Sequence, residues 1–171
     1  MNYINKGKRD ILIFPKFNNI DKIQKIREKY YELADKIVPH ITLAFPFDRE
    51  FSNEFLMEKL IEITKNIKPF RIKCRGITFR KDERVNTYYI YLNIVEGKEI
   101  INEIHREIYQ KILNDIDIKK YNYEPHITLG NIDCVDEEIE LYEEFETVVD
   151  CIVVERIGEN EESVVEFEVK F

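Results

Sequence analysis

The sequence Pro39-His40-Ile41-Thr42-Leu43 occurs a second time in this chain, as Pro125-His126-Ile127-Thr128-Leu129. The two copies lie half a chain apart, and together they contain two of the three histidines in 171 residues. Internal repetition over such a distance indicates a duplicated architecture, which constrains the overall fold before any local prediction is made.

Each copy predicts a β-strand, because β-branched isoleucine and threonine favour extended backbone and proline suits the first residue of a strand. Side chains two residues apart on a strand share one face of it. His40 and Thr42 therefore share a face, while Ile41 and Leu43 share the other and can anchor the strand in a core. Two such strands in a duplicated fold can bring two imidazoles and two hydroxyls together across a cleft.

The spacing of apolar residues along the rest of the chain predicts strands and helices in alternation. The expected strands are 11–14, 39–45, 70–74, 88–95, 125–129, 147–154 and 165–171. The expected helices are one capped by Asn18 or Asn19 with an apolar stripe to Ile37, one from Ser52 to Pro69, one over 101–112, and a short acidic one capped by Asp136 with Ile139, Tyr142 and Phe145 inward. The alternation changes phase after Gly76, which indicates a β-bulge there.

These elements predict an α+β fold in a single domain over residues 1–171. Each half runs strand, helix, repeated strand, helix, strand, and no linker rich in glycine, serine or proline divides the halves. We therefore expect two pseudo-symmetric lobes built from duplicated β-α-β-α-β units. Each lobe is an antiparallel sheet with helices on the outside, and a pseudo-twofold axis relates the two across a central cleft.

The composition is that of a soluble globular protein, with 44% hydrophobic and 35% charged residues. No apolar run approaches the roughly 18 residues of a membrane span, and the polar residues 1–10 do not form a signal peptide. The three cysteines, Cys74, Cys134 and Cys151, are scattered and form no CxxC pair, which argues against a disulfide framework or a zinc ribbon. We expect a reduced, cytoplasmic protein without membrane contact, and we favour a monomer.

The formal net charge of −8 argues against extended, sequence-independent binding of a nucleic acid, which needs many contacts from lysine and arginine to phosphate. It leaves room for a small phosphate ester, a cyclic nucleotide or an RNA end in a locally positive cleft.

Two opposed histidines can act as a general acid and a general base, because the imidazole pKa of about 6.5 allows proton transfer near neutrality. In-line displacement at phosphorus uses such a pair well. One histidine deprotonates water, the other protonates the departing oxygen, and threonine hydroxyls hold the non-bridging oxygens. A cyclic 2′,3′-phosphate fits this chemistry, since its attacking and leaving oxygens lie on opposite sides of phosphorus.

The two His-x-Thr-x motifs, half a chain apart and each ending a β-α-β unit, resemble the 2H phosphoesterase superfamily. That group includes 2′-5′ RNA ligase-like proteins and bacterial cyclic phosphodiesterases, and the Pro-His-Ile-Thr-Leu context is most similar to its YjcG-type branch of phosphoesterases. The resemblance extends over nearly the whole chain, with identity at the motif level confined to 39–43 and 125–129.

The resemblance implies catalytic roles for His40 as proton donor and His126 as proton acceptor, with Thr42 and Thr128 binding the substrate. It implies no metal and no cofactor. The expected activity is hydrolysis of a cyclic phosphate or a 2′-5′ phosphodiester of a nucleotide or RNA end. Two alternatives share this site: a module that binds nucleotides or RNA termini without turnover, and a 2′-5′ RNA ligase that runs the reverse reaction.

Other residues carry weaker signals. A zinc site formed by His40, His126 and a cysteine is disfavoured, since no cysteine lies close to either histidine in sequence. His105 lies beside the apolar stripe of its helix, which predicts a residue at the flank of the helix.

Basic and aromatic side chains offer further candidates. One strand face carries three basic residues, Arg71, Lys73 and Arg75. They either attract phosphate toward the cleft or form a solvated outer face, and we favour the solvated outer face. Tyr123 and Phe45, next to the motifs, are candidates for stacking on a base, although we expect packing roles for both.

Overall fold

The computed structural model describes residues 5–120, 122–135 and 138–171. These residues form three α-helices, α1 (Ile20–Tyr30), α2 (Asn53–Thr64) and α3 (Lys98–Lys111). They also form eight strands: β1 (Arg9–Ile13), β2 (Ile41–Phe47), β3 (Phe70–Asp82), β4 (Thr87–Glu96), β5 (His126–Ile132), β6 (Phe145–Val149), β7 (Cys151–Ile157) and β8 (Ser163–Lys170). Within the described residues, no helix is both long enough and apolar enough to cross a bilayer.

The eight strands pair antiparallel in the order β6-β3-β4-β5-β2-β1-β7-β8. The two central strands, β2 and β5, pair through one residue pair, Ile41 with Ile127. The sheet therefore consists of two four-stranded halves that meet at the repeated motifs. The predicted α+β architecture with two antiparallel lobes is confirmed.

The two four-stranded halves of the sheet correspond position by position. β5 and β4 in one half take the places of β2 and β1 in the other, so β1-α1-β2 corresponds to β4-α3-β5. The lobes do not follow the halves of the sequence, because the last two strands, β7 and β8, complete the lobe that contains β1 and β2. The helices also cross over: α1 packs against β5, and α3 packs against β2. Each motif strand is thus supported by a helix from the other half of the chain.

The motif strands have the predicted faces. Ile41, Leu43, Ile127 and Leu129 are completely buried in the main core, together with apolar residues of all three helices. The histidines and threonines of the motifs are half-buried on the opposite face. Burial of the apolar pairs therefore orients the polar pairs away from the helices.

Two local predictions are confirmed. The Ser52 hydroxyl accepts a hydrogen bond from the Phe55 backbone N–H at 3.1 Å and caps α2. The pairing of β3 with β4 shifts register around Gly76, whose φ of 76° lies in the left-handed region that favours glycine. The predicted bulge is therefore present, within a strand that continues to Asp82.

Two helix predictions are wrong in part. The first helix ends at Tyr30, short of Ile37, because the side chains of Gln24 and Arg27 donate to the carbonyls of Ala34 and Ile37 and hold the chain in turns that fold back over α1.

The predicted acidic helix is not found in the described residues 138–144. Its proposed cap, Asp136, lies outside the described residues. Tyr142, predicted to face inward, is 79% exposed, and Phe145 is buried as the first residue of β6. The spacing of three that suggested a helix therefore arises from a loop that leads into a strand.

A buried pair of carboxyl groups lies in the lobe formed by β1, β2, β7 and β8. Asp10 on β1 pairs across the sheet with Glu155 on β7, and both residues are buried. Burial, reinforced by the negative charge of Glu155, raises the pKa of Asp10 to about 9. Burial also raises the pKa of Glu155, whose carboxylate accepts a hydrogen bond from the Ser163 hydroxyl. The pair therefore holds a proton at neutral pH.

We predict that Asp10→Asn flattens the pH dependence of stability. The folded-state pKa of Asp10 lies above its unfolded value, so its contribution to the free energy of unfolding is complete below about pH 4 and is lost as the pH rises toward 9. The amide cannot ionise, so the variant should gain stability relative to wild type between pH 5 and pH 9. Urea denaturation at pH 5, 7 and 9 measures this difference. The exposed Asp133→Asn serves as the matched control, and parallel curves for Asp10→Asn and wild type would contradict the prediction.

Candidate active site

The two motif histidines have the same local geometry. His40 Nδ1 lies 2.9 Å from the Val38 carbonyl oxygen, and His126 Nδ1 lies 2.7 Å from the Glu124 carbonyl oxygen. A carbonyl only accepts hydrogen bonds, so Nδ1 carries the proton in both rings. Each neutral imidazole therefore has a lone pair on Nε2, the atom available for proton transfer.

The register of the central strands places each histidine near the threonine of the other motif. Ile41 pairs with Ile127, so extension of the antiparallel register by one residue sets His40 opposite Thr128 and Thr42 opposite His126. All four side chains line one cleft with a volume of about 690 Å³. The four residues selected from the sequence are therefore brought together in space.

The environment of the cleft lowers the pKa of both histidines. Desolvation by burial lowers the pKa of His40 to about 4, and the positive charges of Arg27 and His126 act in the same direction. Burial also lowers the pKa of His126, with a further contribution from Arg80. Both rings are therefore neutral at pH 7, and a bound anion would raise both pKa values.

The predicted basic strand face does not reach the cleft. Arg71 and Lys73 form ion pairs with Glu146, and Lys73 and Arg75 form ion pairs with Glu144. None of the three basic residues lines the cleft. Their charges are balanced by carboxylates of β6 and the loop before it, so the hypothesis that they capture phosphate is not supported. The alternative of an outer, solvated face fits the structure.

Arg80 and Lys120 are cleft cations that the sequence pattern did not indicate, and Arg80 is the one closest to the proposed chemistry, because it acts on His126. It lies on β3 beyond the Gly76 bulge, opposite Tyr89 on β4, and it lines the cleft. Its guanidinium donates a long hydrogen bond of 3.5 Å to the Asn122 carbonyl and has no carboxylate partner among the described residues. Arg84, also at the cleft, is instead paired with Asp82. The change of phase at Gly76 was the available signal, because it decides which basic residues beyond the bulge face the cleft.

Aromatic rings form much of the cleft wall. Tyr91 stacks on His126 with ring centroids 3.5 Å apart, and Tyr91 stacks in turn on Tyr89 at 5.9 Å. Phe45 and Tyr123 also line the cleft and meet edge to face at 6.4 Å. The two aromatic residues considered in the sequence analysis therefore border the site as well as packing against each other.

His105 differs from its prediction as a residue at the helix flank. It is 4% exposed, its Nδ1 lies 2.7 Å from the Leu43 carbonyl, and its ring stacks on Tyr123 at 3.6 Å. The Tyr123 hydroxyl donates to the Thr42 carbonyl at 2.8 Å. His105 does not line the cleft, and its contacts instead fix α3 and the chain before β5 to the backbone of the first motif.

The chemistry of the cleft is proton transfer beside an anion site. None of the three cysteines lines it, and in the described parts of the chain no three side chains of histidine, cysteine, aspartate or glutamate form a cluster that could hold a metal ion. Two Nε2 lone pairs and two hydroxyls provide bases and hydrogen-bond donors, and Arg80, Arg84 and Lys120 provide positive charge.

Known proteins resemble this chain in sequence and in fold. A family model described as the 2′-5′ RNA ligase superfamily matches residues 15–166. A Bacillus licheniformis protein named "Putative phosphoesterase" is 29% identical over 124 residues, which cover 72% of this chain and 70% of that protein.

Solved structures share the fold. TT0787 of Thermus thermophilus has a TM-score of 0.66 at 17% identity, covering 95% of this chain and 97% of that one. Escherichia coli LigT, solved with 3′-AMP, has a TM-score of 0.59 at 15% identity, covering 96% of this chain and 97% of that one. The resemblance inferred from the two motifs is confirmed.

We predict that Arg80→Gln weakens binding of inorganic phosphate by about ten- to a hundredfold, the usual value of a hydrogen bond to a charged group. Titration calorimetry at low salt measures the dissociation constant. Arg75→Gln removes an equally basic side chain that is paired with Glu144 outside the cleft, and it should bind phosphate like wild type. Equal effects of the two substitutions would show that Arg80 acts only through net charge.

Proposed function

This chain belongs to the 2′-5′ RNA ligase superfamily, and from that premise we propose that it is a metal-independent phosphoesterase. Its substrate is a cyclic phosphate or a 2′-5′ phosphodiester of a nucleotide or RNA end. The observation that carries the proposal is the pair of motif histidines that line one cleft, each with Nδ1 bound to a backbone carbonyl and Nε2 available.

In the proposed reaction, His126 Nε2 takes a proton from water as the water oxygen forms a bond to phosphorus. The bond from phosphorus to the 2′ or 3′ oxygen breaks, and His40 Nε2–H gives its proton to that oxygen. The hydroxyls of Thr42 and Thr128 and the Arg80 guanidinium stabilise the non-bridging oxygens, where negative charge develops. The product is a phosphate monoester, and the two histidines end with their protonation states exchanged.

Neighbouring cations lower the pKa of both histidines, so the division of roles rests on the resemblance to the family. Arg80 disfavours the charged form of His126, which suits a base that starts neutral. Burial lowers the pKa of His40 to about 4, and this pKa must rise before His40 can act as an acid. The negative charge of the bound phosphate provides that rise. In the reverse, ligating direction the two histidines exchange roles.

The ligand class is supported by a relative. LigT structures have been solved with 3′-AMP, ATP, NADP+ and phosphate, so that protein binds nucleotides and phosphate. Arg80, which has no carboxylate partner among the described residues, and the aromatic wall give this cleft matching contacts for a phosphate and a base.

A binding module without turnover is the second candidate. The neutral state of both histidines at pH 7 favours it, because a neutral pair supplies no proton donor until an anion binds. Turnover assays separate the two candidates, since a binding module releases no product at any pH.

We predict that His40→Ala and His126→Ala each lower kcat by about 10²- to 10⁴-fold, the contribution of one general acid or base. Hydrolysis of adenosine 2′,3′-cyclic phosphate, followed by chromatography with EDTA present, measures the loss. Thermal melts should show folded variants, because both side chains lie on the cleft face outside the main core. Turnover at the wild-type rate in either variant would contradict the paired acid–base role. Inhibition of the wild type by EDTA would contradict a metal-independent reaction.

We predict a bell-shaped pH profile of kcat/KM with its maximum between about pH 4 and pH 6.5. In the free protein both histidine pKa values are lowered, so the form with one proton on the pair is most abundant in this range. The optimum of kcat should lie at higher pH, because bound phosphate stabilises imidazolium. A kcat/KM that continues to rise through pH 8 would contradict the model of two titrating histidines.

A further inference from the structure

A second cavity, with a volume of about 540 Å³, adjoins the cleft and shares Tyr31 and Tyr89 with it. It lies between the segment that follows α1 and the turn that joins β3 to β4. We name it the tyrosine groove, and its walls are formed mainly by Tyr30, Tyr31, Leu33, Val85, Tyr89 and Asn131.

A ladder of aromatic rings connects the reaction centre to the tyrosine groove. Tyr91 stacks on His126 with an interplanar angle of 18°, and Tyr89 stacks on Tyr91 at 19°. Tyr89 and Tyr91 share one face of β4 because they are two residues apart. The ladder is therefore a column of stacked rings that begins at the proposed base and ends at Tyr89, which lines the groove.

Charge separates the tyrosine groove from the cleft. No lysine or arginine lines the groove within the described residues, and the exposed Glu32 borders it. Arg80 and Arg84 line the cleft instead. A phosphate group is thus favoured in the cleft and disfavoured in the groove. The groove instead suits a flat, uncharged group.

The groove wall combines apolar and polar contacts suited to a nucleobase. Val85, at the tip of the hairpin, is 63% exposed, and stacking of a base would cover part of its apolar surface. Asn131 Nδ2 donates to the Thr87 hydroxyl at 2.9 Å, which holds a polar amide at the wall where the edge of a base could meet it. Stacking on tyrosine tolerates any base, since every base has a flat π-face.

We propose that the tyrosine groove binds the nucleobase of a second nucleotide, joined through a phosphate to the nucleotide whose phosphate reacts in the cleft. This inference rests on the proposed function and narrows its substrate class. The substrate is the end of an oligonucleotide at least two nucleotides long, and a mononucleotide fills only part of the combined site.

The test compares two ligands that share one nucleoside and both phosphates, and the second nucleoside of ApAp is esterified to the 5′-phosphate, which also removes one negative charge. Adenosine 3′,5′-bisphosphate (pAp) carries both phosphates but one base, and the dinucleotide ApAp adds the second nucleoside on the same 5′-phosphate. Titration calorimetry with wild type should give a dissociation constant for ApAp about 10- to 100-fold below that for pAp, the usual range for one base stacked on an aromatic side chain.

Variants locate the preference in the groove. Tyr89→Leu should reduce the ratio of the two dissociation constants toward one, and Tyr89→Phe should keep it, because stacking needs the ring and not the hydroxyl. Val85→Ser should lower the ratio by a smaller factor through loss of apolar contact. Tyr142→Leu, which removes a 79% exposed tyrosine outside both cavities, should leave the ratio at the wild-type value.

Equal affinity of wild type for ApAp and pAp would overturn the inference, and so would a preference that survives Tyr89→Leu. Hydrolysis of adenosine 2′,3′-cyclic phosphate, measured separately, distinguishes this failure from failure of the proposed function, because turnover would persist without the groove. If wild type neither binds pAp nor hydrolyses the cyclic phosphate, the proposed function fails and the inference fails with it.

Discussion

The buried pair formed by Ile41 and Ile127 is the contact on which the cleft depends. It joins the two halves of the sheet, and neither side chain is accessible to solvent. Burial of each isoleucine stabilises the fold by about 1.5–3 kcal/mol, and the same burial turns the neighbouring histidines and threonines to the opposite face. A slip of one residue in either strand would place imidazoles in the core and isoleucines in the cleft. The hydrophobic core therefore holds the polar site in position.

The duplicated backbone makes the two histidines equivalent, and their surroundings make them different. Each Nδ1 is bound to the carbonyl two residues earlier, so both rings present Nε2 in the same way. The neighbouring cations differ: Arg27, buried in α1, acts on His40, and Arg80, on β3, acts on His126. A symmetric reaction centre would have no preferred direction for proton transfer. The elements that break this symmetry, α1 and β3, lie outside the motifs.

The sequence predicted those features that depend on local pattern. Alternation within the repeats predicted the faces of His40 and Thr42, and the change of phase predicted the bulge at Gly76. Features that depend on distant partners were missed. Arg80 reaches the cleft because β3 pairs with β4, and His105 is buried because α3 packs on a strand from the other half of the chain. The spacing of Ile139, Tyr142 and Phe145 could not distinguish a helix from the loop before β6. An apolar residue at every third or fourth position is compatible with either structure.

The distribution of charge limits how the proposed substrate can bind. The chain carries a net charge of −8, which repels a polyanion. Salt screens this repulsion beyond about 8 Å at physiological ionic strength, so it acts mainly on a polyanion close to the surface. Most basic side chains near the sheet are balanced by carboxylates, as Arg71 and Lys73 are by Glu146. Arg80 has no carboxylate partner among the described residues. The cleft therefore offers phosphate a cation beside the two histidines, while stacking on neutral rings requires no charge. A nucleic acid that lies along the surface meets repulsion, whereas an end that inserts into the cleft meets the cations Arg80 and Lys120 and an aromatic wall.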